Sequence, residues 1–458
     1  MICQGLQGSQ AKSKECTVKM EATLVEFCNY LVVKLIINIS PVKQNKRKIV
    51  NDPVWGFIDL NSGLLFDLIE HPYFQRLRRI RQLGLTSLVY SGANHTRFEH
   101  CIGSMYLVQT ALQVLREKGV EITDEEAEGV SAAILLHDLG HGPFSHALEE
   151  SIVRGISHEE LSLLFMQELN EELNGKLDLA IRIFLDQYPK HFLHLLVSSQ
   201  LDMDRLDFLK RDSFYCGVSE GVVSSDRIIK MLDVRNDQLV VEAKGIYSVE
   251  KFLIARRMMY WQVYLHKTVV SAERTLVNLL KRASSLVEKG KEVECSGAFA
   301  CFLYGKVVAA DFRSPDRGIR KLALNRFAGL DDSDILSTVK GWISHADPVL
   351  SELSERIVNR KLMKIKISQH PFSESQLNEL KEKVQTKVGI SEEDLDYFFS
   401  VGEMTNNAYQ PDEEAILILY KNGKLKDIRD ASDINLEGLT KTVRKHFVCY
   451  PAKISLGN

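Results

Sequence analysis

From Lys46 to Leu60 apolar and polar residues alternate around Pro53 and Gly56, a pattern that predicts a short hairpin. The period then lengthens. Leu65, Leu68, Ile69, Phe74, Leu77 and Ile80 recur at helical spacing, with His71-Pro72 marking a break between two helices. Gln75, Arg76, Arg78, Arg79 and Arg81 occupy the other face, which reads either as solvated surface or as a site for an anion. A strongly amphipathic helix follows from about Arg97 to Lys118 and stops at Gly119. Thr123-Asp-Glu-Glu126 has the form of a capping box opening the next helix, which runs through Ala132, Ala133, Leu135 and Leu136. Ser157 to Phe165, Leu177 to Leu185, Leu201 to Asp212 and Val249 to Arg282 continue the helical pattern. Leu324 to Arg360 reads as helices broken at Asp331 and Pro348, and Lys361 to Ser368 alternates as a strand. Ala415 to Tyr420, then Asn422-Gly423 and Lys424-Leu425, predict a hairpin with a type I′ turn. The expected fold is mainly α, a helical core with a smaller C-terminal α+β lobe. Residues 1–45 read as a poorly patterned N-terminal extension, 46–290 as the principal domain and 291–458 as the lobe. There is no internal repeat and no low-complexity segment.

Composition changes this picture little. With 45% apolar and 26% charged residues over 458 positions, the chain can bury a large core and form two or three domains. A net charge of −3 with both signs interleaved argues against stable nucleic-acid binding. The eight cysteines are scattered without a C-x-x-C pair, which argues against a zinc ribbon or a disulfide scaffold and points to the cytoplasm. Leu31 to Ile39, the longest apolar run, is interrupted by Lys34 and Asn38 and falls short of the roughly 20 residues that span a bilayer. No basic segment leads to a small-residue cleavage site, so neither a membrane span nor a signal peptide is expected.

Candidate chemistry is concentrated between Ile134 and His146. His137, Asp138, His141 and His146 fall within ten positions behind an apolar helix. A buried histidine bonded to a neighbouring carboxylate explains His137-Asp138 alone, but not the two histidines that follow. His100 stands early on one helix and His137-Asp138 late on the next, so antiparallel packing brings them together. Leu201 to Asp212 crowds four carboxylates and three basic residues into twelve positions. Asp204, Asp207 and Asp212 exceed what capping and intrahelical pairs require.

His100, then His137-Asp138, then Asp204, in order across a helical stretch, resembles the HD superfamily of metal-dependent phosphohydrolases. The resemblance implies one divalent metal ion on these four residues, with Mn, Fe, Ni, Zn and Mg all compatible with the donor set. The ion would neutralise phosphate charge and polarise an oxygen. Asn51-Asp-Pro-Val-Trp-Gly56, Phe74-Gln-Arg-Leu77, Arg81-Gln-Leu-Gly84, Asn94-His-Thr-Arg-Phe-Glu-His100, His137 to His146 and Tyr264-Leu-His-Lys267 are similar to the deoxynucleoside triphosphate triphosphohydrolase branch. The likeness covers more than half the chain, from residue 46 to residue 285, and residues 1–45 show no sterile-alpha-motif pattern of the kind vertebrate members carry.

Members of that branch convert a dNTP to the deoxynucleoside and inorganic triphosphate. The resemblance places His141, His146 and His158 around the α-phosphate, with His146 and His158 favoured as acid and phosphate contacts. Glu149 stands where the branch often has aspartate and would orient His146 or His158. Arg97, Arg205 and Arg256 match phosphate-binding positions. Gln82 matches a substrate contact, Asp212 the acceptor of the sugar 3′-hydroxyl, and Tyr264 the aromatic beside the deoxyribose. Phe208 replaces a tyrosine of the vertebrate members, so one sugar hydrogen bond is missing. Lys48, Glu70, Gln75 and Arg78 align with residues that hold an activating guanine nucleotide (GTP or dGTP) between subunits, which implies a homo-oligomer. Two other readings stay open. One is an HD phosphodiesterase or phosphomonoesterase, which a second contiguous set of histidine ligands would favour in its binuclear form. The other is a non-catalytic nucleotide sensor or nucleic-acid-binding protein on the same scaffold.

Overall fold

The computed structural model describes residues 48–60, 62–144, 147–412 and 414–452. The extension expected over residues 1–45 lies outside the described residues. The chain is mainly α, as its periodicity implies. β1 (Lys48–Asp52) and β2 (Gly56–Leu60) form the expected hairpin, its turn closed by Asp52 Oδ1, which accepts the Val54 and Trp55 N–H groups at 2.8 Å each. α1 (Gly63–Glu70) ends at His71, whose Nδ1 accepts the Tyr73 N–H, so the chain turns at Pro72 into one short helical turn and the 3-10 turn Arg76–Arg79.

Four helices carry the site. α2 (Arg97–Glu117) and α3 (Asp124–Leu136) both open on capping boxes, Thr96 with Glu99 and Thr123 with Glu126. α3 is buried all round over its last two turns, with Val130, Ala132, Ala133, Ile134, Leu135 and Leu136 inaccessible to solvent and Ser131 the one polar side chain among them. It is therefore an interior helix, packed against α2. α4 (His158–Glu172) starts at Ser157. α5 (Met203–Cys216) is capped by Asp202, which accepts the Arg205 N–H at 2.7 Å, and stops at the left-handed Gly217.

One helix was expected from Val249 to Arg282, but the chain forms α6 (Ile246–Met259) and α7 (Lys267–Glu288) with a π turn, Tyr260–Tyr264, between them. Leu265 N–H reaches back to Tyr260 O at 2.7 Å, and His266 Nδ1 caps α7. The apolar spacing on either side is helical, so periodicity alone does not register the extra residue in that turn.

Beyond α7, α8 (Arg317–Ala328) and α9 (Asp332–Trp342) flank the break expected at Asp331, and another helix begins at Pro348. β3 (Leu232–Arg235) pairs with β4 (Gln238–Glu242). β5 (Lys364–Ser368) lies beside β9 (Val443–Tyr450), which also pairs with β6 (Ser400–Asn406). β7 (Leu417–Leu419) runs parallel to β4 and antiparallel to β8 (Leu425–Asp427), so this sheet joins strands from either side of residue 290. The β7–β8 turn is not type I′. Gly423 is left-handed at φ +79° while Asn422 is not, and Gly423 N–H donates to Tyr420 O at 2.9 Å. That is a type I turn followed by a left-handed glycine, the three-residue alternative for a hairpin. No helix among the described residues is long and apolar enough to cross a membrane.

Candidate active site

Antiparallel packing of α2 against α3, with α5 across α2, brings His100, His137 and Asp204 together, and their ligand atoms lie within 4.8 Å of one another. His100 Nε2 is 3.0 Å from Asp204 Oδ1, and His137 Nε2 is 3.5 Å from the same oxygen. Asp138 stands beside them, 3.4 Å from His137 Nε2 and 3.7 Å from His100 Nε2, with Oδ2 drawn to Arg97 Nη1 at 2.5 Å. His137 Nδ1 donates to Ile134 O at 2.6 Å, which turns the buried Nε2 toward the carboxylates, where it lies at ion-pair distance without a well-formed hydrogen bond. Two imidazoles and two carboxylates converging around an orphaned imidazole nitrogen fit a divalent cation. Burial works against charge on both histidines, yet the carboxylates prevail. Asp204 and Asp207 raise His100 to about 10, and Asp138 and Asp204 raise His137. A cation would displace those protons.

Behind His100 lies a second layer. Its Nδ1 donates to Asp207 Oδ2 at 2.8 Å, which aims Nε2 at the cluster. Asp207 is fully buried. It is gripped by both Nε and Nη2 of Arg211, at 2.8 and 2.9 Å, and by Trp55 Nε1 at 2.5 Å. Arg211 Nη1 continues to Asp52 at 2.8 Å, which ties the hairpin turn to the site. Gly103 allows this approach, because a Cβ there would meet Asp207 Oδ1 at 2.1 Å. Burial opposes ionisation of Asp207, but Arg211 and His100 hold its carboxyl down at about 2.

The loop after α3 carries the remaining histidines. His141 Nε2 is 3.1 Å from Asp138 Oδ1, and its ring stacks on His158 at 4.0 Å. Burial and the nearby Arg97 push its pKa well below the usual histidine range. Asp138 is held well below the carboxylate range: burial raises it, and Arg97, His137 and His141 outweigh burial. Glu149 Oε1 accepts from both the backbone N–H and Nδ1 of His158, at 2.7 and 2.8 Å, and His158 Nε2 lies 3.2 Å from Glu159 Oε1. His146 lies outside the described residues. Gly140, His141, Gly142, Glu149, His158 and Phe327 line one open pocket.

Arg205 bonds Asp202 and Ser199 O, and Arg256 Nη1 donates to Gln200 Oε1 at 3.1 Å. Asp212 accepts from His95 Nε2 at 2.7 Å and from the Tyr264 hydroxyl at 2.8 Å, with Phe208 edge-on to Tyr264 at 6.2 Å. Nine buried side-chain polar atoms among the described residues lack a hydrogen-bond partner, and four belong to these candidates: Gln82 Oε1, Arg97 Nε, His137 Nε2 and Arg256 Nε. Each is a buried polar atom that a bound ligand would satisfy.

The arginine-rich face is not uniform. Arg78 lies over Phe98 at 3.4 Å and bonds Gln75 at 2.9 Å, Gln75 donates to Ile69 O at 2.8 Å, and Glu70 is exposed. Lys48 opens β1. Arg76, grouped in sequence with this face, is 1% exposed: helical phase fails where the chain tightens into its 3-10 turn, and the side chain points inward. Residues that sequence reasoning left without a role are Asp207, Arg211, Asp52, Trp55, His95, Gln200 and Arg76. Asp207 carried the one usable signal, a carboxylate on the inward face of α5.

The HD domain family matches residues 97–205, and the HD associated region matches residues 223–295. A solved phosphohydrolase from Bacteroides thetaiotaomicron VPI-5482 is 52% identical, with a TM-score of 0.84 over 88% of this chain and 100% of that one. YwfO of Bacillus subtilis, a protein without a characterised role, is 34% identical over 425 residues, 89% of this chain and 93% of its own. The deoxynucleoside triphosphate triphosphohydrolase SAMHD1 homolog of Dictyostelium discoideum is 30% identical over 270 residues, 55% of this chain. The chain spans about half of that relative, 52% of its length.

Proposed function

The chain belongs to the HD superfamily of phosphohydrolases, and from that premise we propose that it hydrolyses deoxynucleoside triphosphates to deoxynucleoside and inorganic triphosphate. The observation that carries the reading is the set of partnerless buried atoms on the candidate residues: the imidazole Nε2 of His137, a cation ligand, the guanidinium Nε donors of Arg97 and Arg256, suited to phosphate, and the amide oxygen of Gln82, an acceptor. His100, His137, Asp138 and Asp204 would hold one divalent ion, which would supply charge neutralisation at the α-phosphate. Arg97, Arg205 and Arg256 bind the phosphate oxygens. Water adds across the bond between the α-phosphorus and the 5′ oxygen: its oxygen stays with the triphosphate, and a proton passes to the departing 5′ oxygen. His158 is suited to that transfer, since Glu149 fixes its Nδ1 and leaves Nε2, beside Glu159, as the nitrogen that exchanges the proton. His146 shares the role by its place in the motif. Asp212 and Tyr264 form the sugar end, where the Tyr264 hydroxyl donates to Asp212 and the half-buried ring packs beside the deoxyribose against a 2′-hydroxyl. The relatives named as dNTP triphosphohydrolases support this substrate class.

We extend the proposal to regulation: Lys48, Glu70, Gln75 and Arg78 bind a guanine nucleotide, GTP or dGTP, in a homo-oligomer. Free thiols at Cys101, Cys216, Cys295, Cys301 and Cys449 suit a cytoplasmic enzyme. The test is to incubate the protein with Mn²⁺ or Mg²⁺ and each dNTP, then resolve the products. Triphosphate release is expected. Pyrophosphate or phosphate release would remove the reaction assignment, and no turnover of any dNTP would remove the substrate class. One observation favours a binuclear phosphodiesterase instead: Glu149, His158 and Glu159 form a second group with metal-ligand spacing. Two tightly bound ions per chain would support that alternative.

A further inference from the structure

Arg76 has a guanidinium that is almost wholly buried and meets no carboxylate among the described residues. Its Nε donates to Leu330 O at 3.1 Å, Nη1 to Leu139 O at 3.2 Å and Nη2 to His141 O at 2.7 Å. The Phe327 ring lies 4.9 Å from the guanidinium carbon. Taking a cation out of water for carbonyl partners, with only the more distant charges of Asp331 and Asp332 in support, is costly, and a leucine or methionine would fill the space without that cost. What an apolar side chain would not do is tie three backbone segments to one rigid fork. Two of the carbonyls flank Gly140, on the loop that carries His141. The third belongs to the turn between α8 and α9.

The same loop is held at three further points. Asp332, the first residue of α9, accepts the Phe144 N–H through Oδ1 and the Arg81 N–H through Oδ2, both at 3.1 Å. Phe144 sits at φ +51°, a conformation that non-glycine residues hold only when their surroundings enforce it. Ser162 Oγ accepts the Gly140 N–H at 2.9 Å, and a Cβ on Gly140 would lie 2.0 Å from His158 O. Gly142 faces Phe327, whose ring edge would stand 3.3 Å from a Cβ there. These tethers act on backbone groups, so they set where the loop lies whatever its side chains contact.

We propose that Arg76 and Asp332 are positioning residues that clamp residues 139–144 between the 3-10 turn and residues 327–332, and so hold His141 against the substrate phosphate. The phosphate-facing part of this rests on the function proposed above; the clamp itself does not. It gives the chain beyond residue 290, which supplies no proposed metal ligand, a part in the reaction.

The experiment compares Arg76→Lys, Asp332→Asn, His141→Ala and the Arg76→Lys/His141→Ala pair, by steady-state kinetics with Mn²⁺ and by backbone hydrogen exchange. Arg76→Lys keeps the charge and loses the fork. It is expected to lower kcat about 10- to 100-fold with KM changed by less than about twofold, the cost of a small misplacement. In the His141→Ala background the same substitution is expected to change kcat by less than about twofold, because groups acting as a unit are not additive. Amides of residues 139–144 are expected to exchange at least about tenfold faster in Arg76→Lys and in Asp332→Asn, with α2 and α5 unchanged. Equal losses of kcat in both backgrounds, or faster exchange throughout the chain, would assign these residues to general stability and overturn the proposal. If no dNTP is turned over, the exchange measurement still decides the clamp, so the two readings fail separately.

Discussion

Replacing Asp207 with asparagine tests how the metal site is held. Asp207 touches no substrate, yet its Oδ2 fixes the proton on His100 Nδ1 at 2.8 Å and so aims Nε2 at Asp204. Asparagine keeps an acceptor of similar shape and removes the charge. Losing such an outer partner typically costs about 10- to 100-fold in metal affinity, or about 1.4–2.8 kcal/mol at about 1.4 kcal/mol per tenfold. The substitution also strips Arg211 of its bidentate partner, and breaking a buried ion pair costs about 3–5 kcal/mol of stability. Asp52→Asn separates the two effects, since it breaks the other half of the Arg211 network without touching His100. Mn²⁺ titration calorimetry, at a temperature where all three proteins are folded, should show weaker binding for Asp207→Asn and binding within about threefold of the native chain for Asp52→Asn. Equal affinity in Asp207→Asn and the native chain would refute the orienting role, and equal losses in both variants would reduce it to stability.

Arg256→Ala should lower kcat/KM for a dNTP about 10- to 100-fold, from about 1.5–3 kcal/mol for a hydrogen bond to a charged group; unchanged steady-state kinetics would remove Arg256 from the phosphate site. Glu273 is partly buried on α7, and that burial raises its carboxyl to about 7 from the ordinary 4.5, with Arg274 a weaker opposing influence. The native chain therefore holds this proton longer than the unfolded one, and stability falls as pH rises from about 4.5 to about 7. Glu273→Gln should be more stable above pH 7, on the order of 1–3 kcal/mol, and unchanged below about pH 4.5; denaturant midpoints that move equally at both ends would contradict this. Arg78→Ala should raise the GTP concentration for half-maximal activation by at least about tenfold while sparing the unactivated rate. Superimposable activation curves would remove the regulatory site.

Much of the site is legible in the sequence because its ligands ride on strongly patterned helices. The amphipathic pattern from Arg97 and the capping box at Thr123 fix where α2 and α3 begin, so His100 falls one turn into α2 and His137 immediately after the end of α3. The residues behind them are harder to read. Asp207 stands out in the pattern as a carboxylate beyond what intrahelical pairing requires, but Arg211 does not, and only the packing of α5 over Gly103 shows that both are buried and paired behind His100. Arg76 is disguised in the same way by its arginine neighbours, because the 3-10 turn rotates it off the face that a regular helix would give. The break at Tyr260–Tyr264 preserves the apolar rhythm on both sides, so its extra residue is invisible in the pattern even though it brings Tyr264 to Asp212. The Asn422-Gly423 pair misleads for a different reason: it is compatible with both a two-residue and a three-residue turn, and the pairing of Leu419 with Leu425 selects the longer one.

The most direct measurement of the central claim is dNTP turnover with Mn²⁺ in ¹⁸O-labelled water, with both products analysed by mass. Attack at the α-phosphorus predicts unlabelled deoxynucleoside and inorganic triphosphate carrying a single ¹⁸O. Label in the deoxynucleoside, or deoxynucleoside monophosphate with pyrophosphate in place of triphosphate, would contradict it.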